Sequence, residues 1–281
     1  MHLSLARTKP RSVIVALTAL LAMTVTAQAG HAATLPSLTL SASSSAITIT
    51  GTPTSGAVNV IATSTGKLKE PSIVLVRLLP GATEAEAIAA LENPKLDPNS
   101  VGKFGSIVFD AEATSGKGQE TQTDLQPGSY LAVLAGENGP TKVHQSFTVA
   151  ASPSPATLPA AQAQEKTIDF GFKGPSTLKV GELVGWEDGG YLVHMNLAFP
   201  VKNMAAAKKV IAGLKSGHEK GIEKLVAGPP VSFQAPVSPG GYQQSVITAR
   251  PGIYVQVCFM STQDGRPHTR LGMERIIRIA K

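Results

Sequence analysis

Apolar and polar positions alternate along this chain in short runs. Runs rich in Val, Ile and Thr, each bounded by Gly, Pro, Asn or Ser, recur at 38–42, 46–50, 57–63, 72–79, 106–110, 129–134 and 146–149. A second series follows at 167–172, 182–186, 192–199, 242–248, 253–259 and 276–280. A period of two over runs of this length is the signature of half-buried β-strands. Six or seven strands in each half are enough for a sandwich, so the pattern predicts an all-β protein of two Greek-key β-sandwich domains.

The period changes once in each half. Residues 84–91 read as a short helix behind Pro80-Gly81-Ala82-Thr83, with Thr83 and Glu86 spaced as a capping box. Residues 204–214 read as another, with Asn203 as its N-cap. Its apolar stripe, Met204, Val210, Ile211 and Leu214, stands opposite Lys208, Lys209 and Lys215, as expected of a helix packed on a sandwich.

Residues 151–164 carry no charge up to Gln164 and are rich in Pro, Ala and Ser, so they read as a semi-extended linker. It divides the chain into domains at 33–150 and 165–281, each large enough for its own core. The halves share landmarks in order. The two helix starts are 120 residues apart, Gln126-Pro-Gly-Ser-Tyr130 and Arg250-Pro-Gly-Ile-Tyr254 are 124 apart, and the terminal strands are 130 apart. An internal duplication with loop insertions accounts for this drift.

The first 32 residues read as a secretory signal. Arg7, Lys9 and Arg11 form its basic part and 13–25 its apolar part, with cleavage near Ala27-Gln28-Ala29 or Gly30-His31-Ala32. An exported protein, secreted or periplasmic, is expected. No lipid anchor is expected at that site, because Cys258 is the only cysteine. No run is long enough for stable membrane insertion. Removing the signal lowers the formal charge from +6 to +3, with no Lys/Arg cluster of the kind that binds nucleic acid.

A single cysteine in an exported chain forms no internal disulfide, which leaves a buried hydrophobe or a liganded sulfur. The surrounding string favours the second reading. Cys258, His268 and Met273 place a thiolate, an imidazole and a thioether within sixteen residues, the donor types of a copper electron-transfer site. His194, at one end of a predicted strand, is the fourth candidate. On the duplication offsets His194 falls opposite Val74, Cys258 opposite Leu134 and Met273 opposite Val143, and His268 lies where the first half is shorter. The first half is therefore expected to be a ligand-less copy. His144 and His218 read as solvated surface residues, and His31 borders or leaves with the signal.

Residues 165–281 resemble a cupredoxin, the blue (type 1) copper fold. The resemblance rests on Gly252-Ile-Tyr-Val-Gln-Val-Cys258, on His268-x4-Met273 with Gly272 before the methionine, and on Trp186 followed by His194. It implies a metal site in which His194, Cys258 and His268 form the copper plane and Met273 is the long axial ligand. The Cys258 to His268 loop is longer than in small electron carriers and similar to that of the blue-copper domain of nitrite reductases. Asp188 stands where the family commonly has Asn, and a carboxylate there disfavours a nearby thiolate. About forty residues between Phe199 and Tyr242 form an insertion.

Copper is the expected cofactor, and an unidentified redox or copper-transfer protein the expected partner. The function read from these residues is an exported one-electron carrier or copper-holding protein with a type 1-like site. The alternative is a metal-free β-sandwich module that binds an envelope component. No Gly-x-Ser-x-Gly, His-Glu-x-x-His or phosphate loop is present, so a non-enzyme is expected.

Overall fold

The computed structural model describes residues 34–281 apart from 93–97, 117, 119 and 138. The proposed signal, 1–32, lies outside the described residues. In the first half the strands are β1 Ser37–Ala42, β2 Ile47–Thr50, β3 Gly56–Ser64, β4 Ser72–Leu78, β5 Gly105–Glu112, β6 Thr114–Ser115, β7 Glu120–Leu125, β8 Gly128–Gly136 and β9 Gly139–Val149. The second half continues with β10 Ala163–Ile168, β11 Gly171–Lys173, β12 Thr177–Lys179, β13 Leu183–Asp188, β14 His194–Val201, β15 Val231–Val237, β16 Tyr242–Val246, β17 Gly252–Val257 and β18 Glu274–Ala280. Helix α1 spans Glu84–Glu92 and α2 spans Met204–Ser216. The fold is all-β, in sandwiches that each carry a short helix. No helix among the described residues is long and apolar enough to cross a membrane.

One long sheet runs through both halves in the order β11-β10-β13-β16-β7-β3-β1-β2, with β6 beside β3. The halves meet in it at a single pair, Gln244 opposite Gln122. A four-stranded sheet, β5-β4-β8-β9, is the other face of the first sandwich, and a five-stranded sheet, β12-β18-β17-β14-β15, of the second. The first core is mostly aliphatic, with Leu38, Leu40, Ile73 and Leu75 fully buried beside the aromatic Phe109 and Tyr130. In the second, Trp186 stacks on Phe233 at 4.8 Å and 11°.

The helix caps form as their residues dictate. The Thr83 backbone N–H donates to Glu86 Oε2 at 2.9 Å and the Glu86 N–H to Thr83 Oγ1 at 3.3 Å. The Ala206 N–H donates to Asn203 Oδ1 at 2.9 Å. Val210 and Leu214 of α2 bury against Val255 and Val257 of β17, whereas Met204, expected in the same stripe, is 44% exposed. Strand β17 is thus covered on both faces, by α2 on one and by the sandwich interior on the other.

The Pro-Gly-x-Tyr landmarks build the same corner twice. Tyr130 donates its hydroxyl to the Gln126 carbonyl and Tyr254 to the Arg250 carbonyl, each at 2.8 Å. Tyr130 lies opposite Arg77 and Tyr254 opposite Pro200, so β4 and β14 are related by 123 residues. Counting back along the strand, His194 falls opposite Pro71 and not Val74. The helix offset of 120 does not carry into the strand, because five residues (79–83) join β4 to α1 and only two (202–203) join β14 to α2.

The stretch 151–164 is pinned to both halves. Ala156 accepts from the Ala57 N–H, Pro159 from Gln244 Nε2, and the Gln162 N–H donates to Leu183. Its last two residues, Ala163 and Gln164, already pair with β13.

Candidate metal centre

His194 opens β14 and Cys258 follows directly on β17, and these strands are antiparallel neighbours. The register therefore brings the two residues to the same pole of the second sandwich. Along β17, Tyr254, Gln256 and Cys258 face inward and are buried, while Phe259 turns out and is 38% exposed.

The remaining candidates come from the loop 258–273, which holds itself in shape. Its N–H groups at Thr262, His268 and Met273 donate to Arg266, Met260 and His268 at 3.0, 2.8 and 3.0 Å, and Cys258 N–H donates to the Met273 carbonyl at 3.3 Å. A 3-10 turn, His268–Leu271, is closed by Gly272 at φ 101°, a left-handed position where a side chain would be strained. The long spacing from Cys258 to His268 is thereby folded back on itself.

Cys258 Sγ lies 3.4 Å from His268 Nδ1 and 3.8 Å from His194 Nδ1, and one donor atom from each of the three lies within 4.8 Å of the others. All three residues are completely buried, as is Met273. Met273 joins them through its backbone, hydrogen-bonded to both Cys258 and His268. His144 and His218 are exposed and stand apart from the cluster.

Charges around the cluster prepare the donor atoms. Asp169, in the turn between β10 and β11, holds His194 Nε2 at 2.9 Å and accepts from the Tyr191 and Leu192 N–H groups. Partial burial pushes the Asp169 carboxyl up, but these bonds outweigh it and hold it below the usual range. An ionised Asp169 keeps the proton on Nε2 and leaves the Nδ1 lone pair facing Cys258. Burial lowers His194, against the pull of Asp169. His268 drops to about 4 through burial and the neighbouring His194, and its Nε2 has no hydrogen-bond partner. Both rings are neutral donors at neutral pH.

The thiol is pushed up to about 12, chiefly by burial, with the N–H groups of Met195 and Met260 opposing and Asp188 adding to the rise. Asp188 accepts from the Gly190 N–H at 2.9 Å, and burial raises it to about 7. A thiolate in this position needs a cation beside it. One soft sulfur and two imidazole lone pairs meeting in a closed pocket fit a thiophilic transition metal such as copper.

Beneath the cluster lies a polar network inside the sandwich. Gln256 Nε2 donates to Glu165 Oε2 at 2.7 Å and to Asn196 Oδ1 at 2.6 Å, and Arg275 bonds both Gln256 and Glu165. Gln256 stands out in the sequence as a polar residue on an inward face. Its partners, and Asp169, carry no local signal, since Glu165 and Arg275 are 110 positions apart.

No protein-family model and no curated protein matches the chain. Among solved structures it is similar to auracyanin A, a "blue" copper protein from Chloroflexus aurantiacus, at 14% identity over 42% of this chain and 99% of that one, TM-score 0.23. A multicopper oxidase is 11% identical over 87% of this chain and 88% of its own, TM-score 0.24. A copper-containing nitrite reductase from Thermus scotoductus SA-01 is 12% identical over 87% and 68%, TM-score 0.23. The expectation of a non-enzyme is corrected here: these structural neighbours include enzymes, a multicopper oxidase and a nitrite reductase. None of the three assigns a function to this chain.

Proposed function

We propose that this is an exported copper-binding protein with a type 1-like site, acting as a one-electron carrier or as a holder of copper for a protein partner. The observation that carries the reading is the convergence of Cys258 Sγ with the Nδ1 atoms of His194 and His268 in a fully buried pocket. His194, Cys258 and His268 would hold the metal and Met273 would be the weak fourth ligand.

Copper supplies a couple that moves one electron; the chain supplies the rest. Asp169 fixes the ring of His194 and its tautomer. The self-bonded loop fixes His268 relative to Cys258. The closed pocket excludes water and competing ligands, with His194 and Cys258 fixed by the paired strands. In this reading 33–150 is a ligand-less domain, 151–164 its linker and 165–281 the copper domain.

The test is retention of metal. Mature, metal-free protein given one equivalent of copper should keep it through desalting and against a competing chelator, and Cys258→Ser should lose it. Loss of copper from both proteins would support the metal-free binding module instead, and equal retention by both would remove Cys258 from the site.

A further inference from the structure

The pole that carries the cluster is packed by the first half of the chain. Asn99 sits in a 3-10 turn, Pro98–Lys103, between α1 and β5. The Val193 backbone N–H, next to His194, donates to Asn99 Oδ1 at 2.6 Å. Asn99 Nδ2 donates to the Ser261 carbonyl at 3.4 Å, inside the loop between Cys258 and His268. One side chain thus joins segments 94 and 162 positions away.

The apolar contacts around it have the same sense. Val193 and Val237 belong to a core cluster built from Val74, Val76, Val101 and Ile107 of the first half, with Met260 packed against it. Each of these three second-half residues is tied to a ligand position. Val193 precedes His194, Val237 is its cross-strand partner, and the Met260 carbonyl accepts the His268 N–H at 2.8 Å. Ser238 adds two hydrogen bonds to Ile107, at 2.8 and 2.9 Å.

We infer that Asn99 is a positioning residue, and that the first half acts as a clamp holding both ligand-bearing segments over the buried thiol. The inference deepens the copper reading and rests on it for its purpose, though not for its geometry. A loop anchored from outside its own sandwich stays in one arrangement only while the anchor holds. Loss of the bonds to Val193 and Ser261 raises the population of a locally open pole without unfolding the domain.

The readout is the reactivity of Cys258, which needs no metal. In metal-free full-length protein, Asn99→Ala should raise the rate of Cys258 modification by a disulfide reagent about tenfold. Asn99→Asp keeps the acceptor for Val193 and loses the donor to Ser261, and should fall between. Leu40→Ala, deep in the first sandwich's own core, should lower the melting temperature at least as much with far less effect on that rate. Copper-loaded Asn99→Ala should shift the thiolate charge-transfer band and the reduction potential, and Leu40→Ala should not. Equal modification rates for Asn99→Ala and Leu40→Ala would overturn the clamp. If Asn99→Ala speeds modification but wild type takes up no copper, the clamp stands and the copper reading falls.

Discussion

Asp169 grips the far edge of His194, 2.9 Å from Nε2, so that the near edge, Nδ1, is turned toward Cys258 Sγ at 3.8 Å. The arrangement depends on an absent side chain. A Cβ on Gly190 would lie 2.5 Å from His194 Nε2 and 2.6 Å from Asp169 Oδ1. Gly190→Ala should therefore displace the ring and weaken metal binding. Asp169→Ala should do so by roughly 10- to 100-fold, as loss of an orienting partner typically does. Competition titration against a chelator checks both variants.

The buried network gives a prediction about stability. Glu165 is almost fully buried and pairs with Arg275, and burial is the chief force raising its carboxyl while Arg275 opposes it. Arg275→Met strands that carboxylate and should cost about 3–5 kcal/mol. Adding Glu165→Gln should recover much of the loss. Denaturant unfolding of the single and double variants measures it.

Stability should also fall as pH rises, through Asp110. Burial raises its carboxyl to about 7, against a hydrogen bond with Ser72, and Oδ1 has no partner. The folded state then holds a proton that the unfolded chain releases near 4. Its contribution is fully present below about 4 and is lost as pH climbs to about 7. Asp110→Asn should flatten this share of the slope and be the more stable form at pH 8, while Asp188, also raised to about 7, keeps its own. Melting temperatures of the metal-free proteins between pH 4 and 8 test the sign.

The repeated corner predicts related but unequal costs. Tyr130→Phe and Tyr254→Phe each remove a hydroxyl bond to a carbonyl four residues back, and Tyr130→Phe also removes the acceptor of the Gln126 N–H. Tyr254→Phe should cost about 1 kcal/mol and Tyr130→Phe more, measured by chemical unfolding.

Much of this fold was legible because its strands obey one rule, alternation with aliphatic residues inward. Strand β7, Glu-Thr-Gln-Thr-Asp-Leu, escaped it, since its buried positions are Thr121, Thr123 and Leu125. Thr123 is satisfied by the Tyr242 carbonyl at 2.7 Å, a partner from the other half that no local pattern announces. Strand β15 escaped because register shifts along β14 break its alternation. The meeting of His194, Cys258 and His268 at one pole was foreshadowed by their donor types, and Met273 adjoins them through its backbone. Asp169 and Asn99 were not foreshadowed, because an Asp in a turn or an Asn in a 3-10 segment is ordinary until folding shows what it touches. The Val74 equivalence failed for a physical reason as well: a loop length cannot be assigned to one side of a strand from landmarks beyond it.

If Cys258 places its sulfur on copper between two imidazoles, the visible spectrum of the protein with Cu(II) reports it. A thiolate bound to Cu(II) gives an intense blue or green charge-transfer colour, and no other group among these donors does so. Met273→Leu should keep the colour with altered hue and a higher potential, since a weak axial thioether tunes the metal without holding it. Wild type should show an intense band and Cys258→Ser none. A colourless wild type, or a band that survives Cys258→Ser, would contradict it.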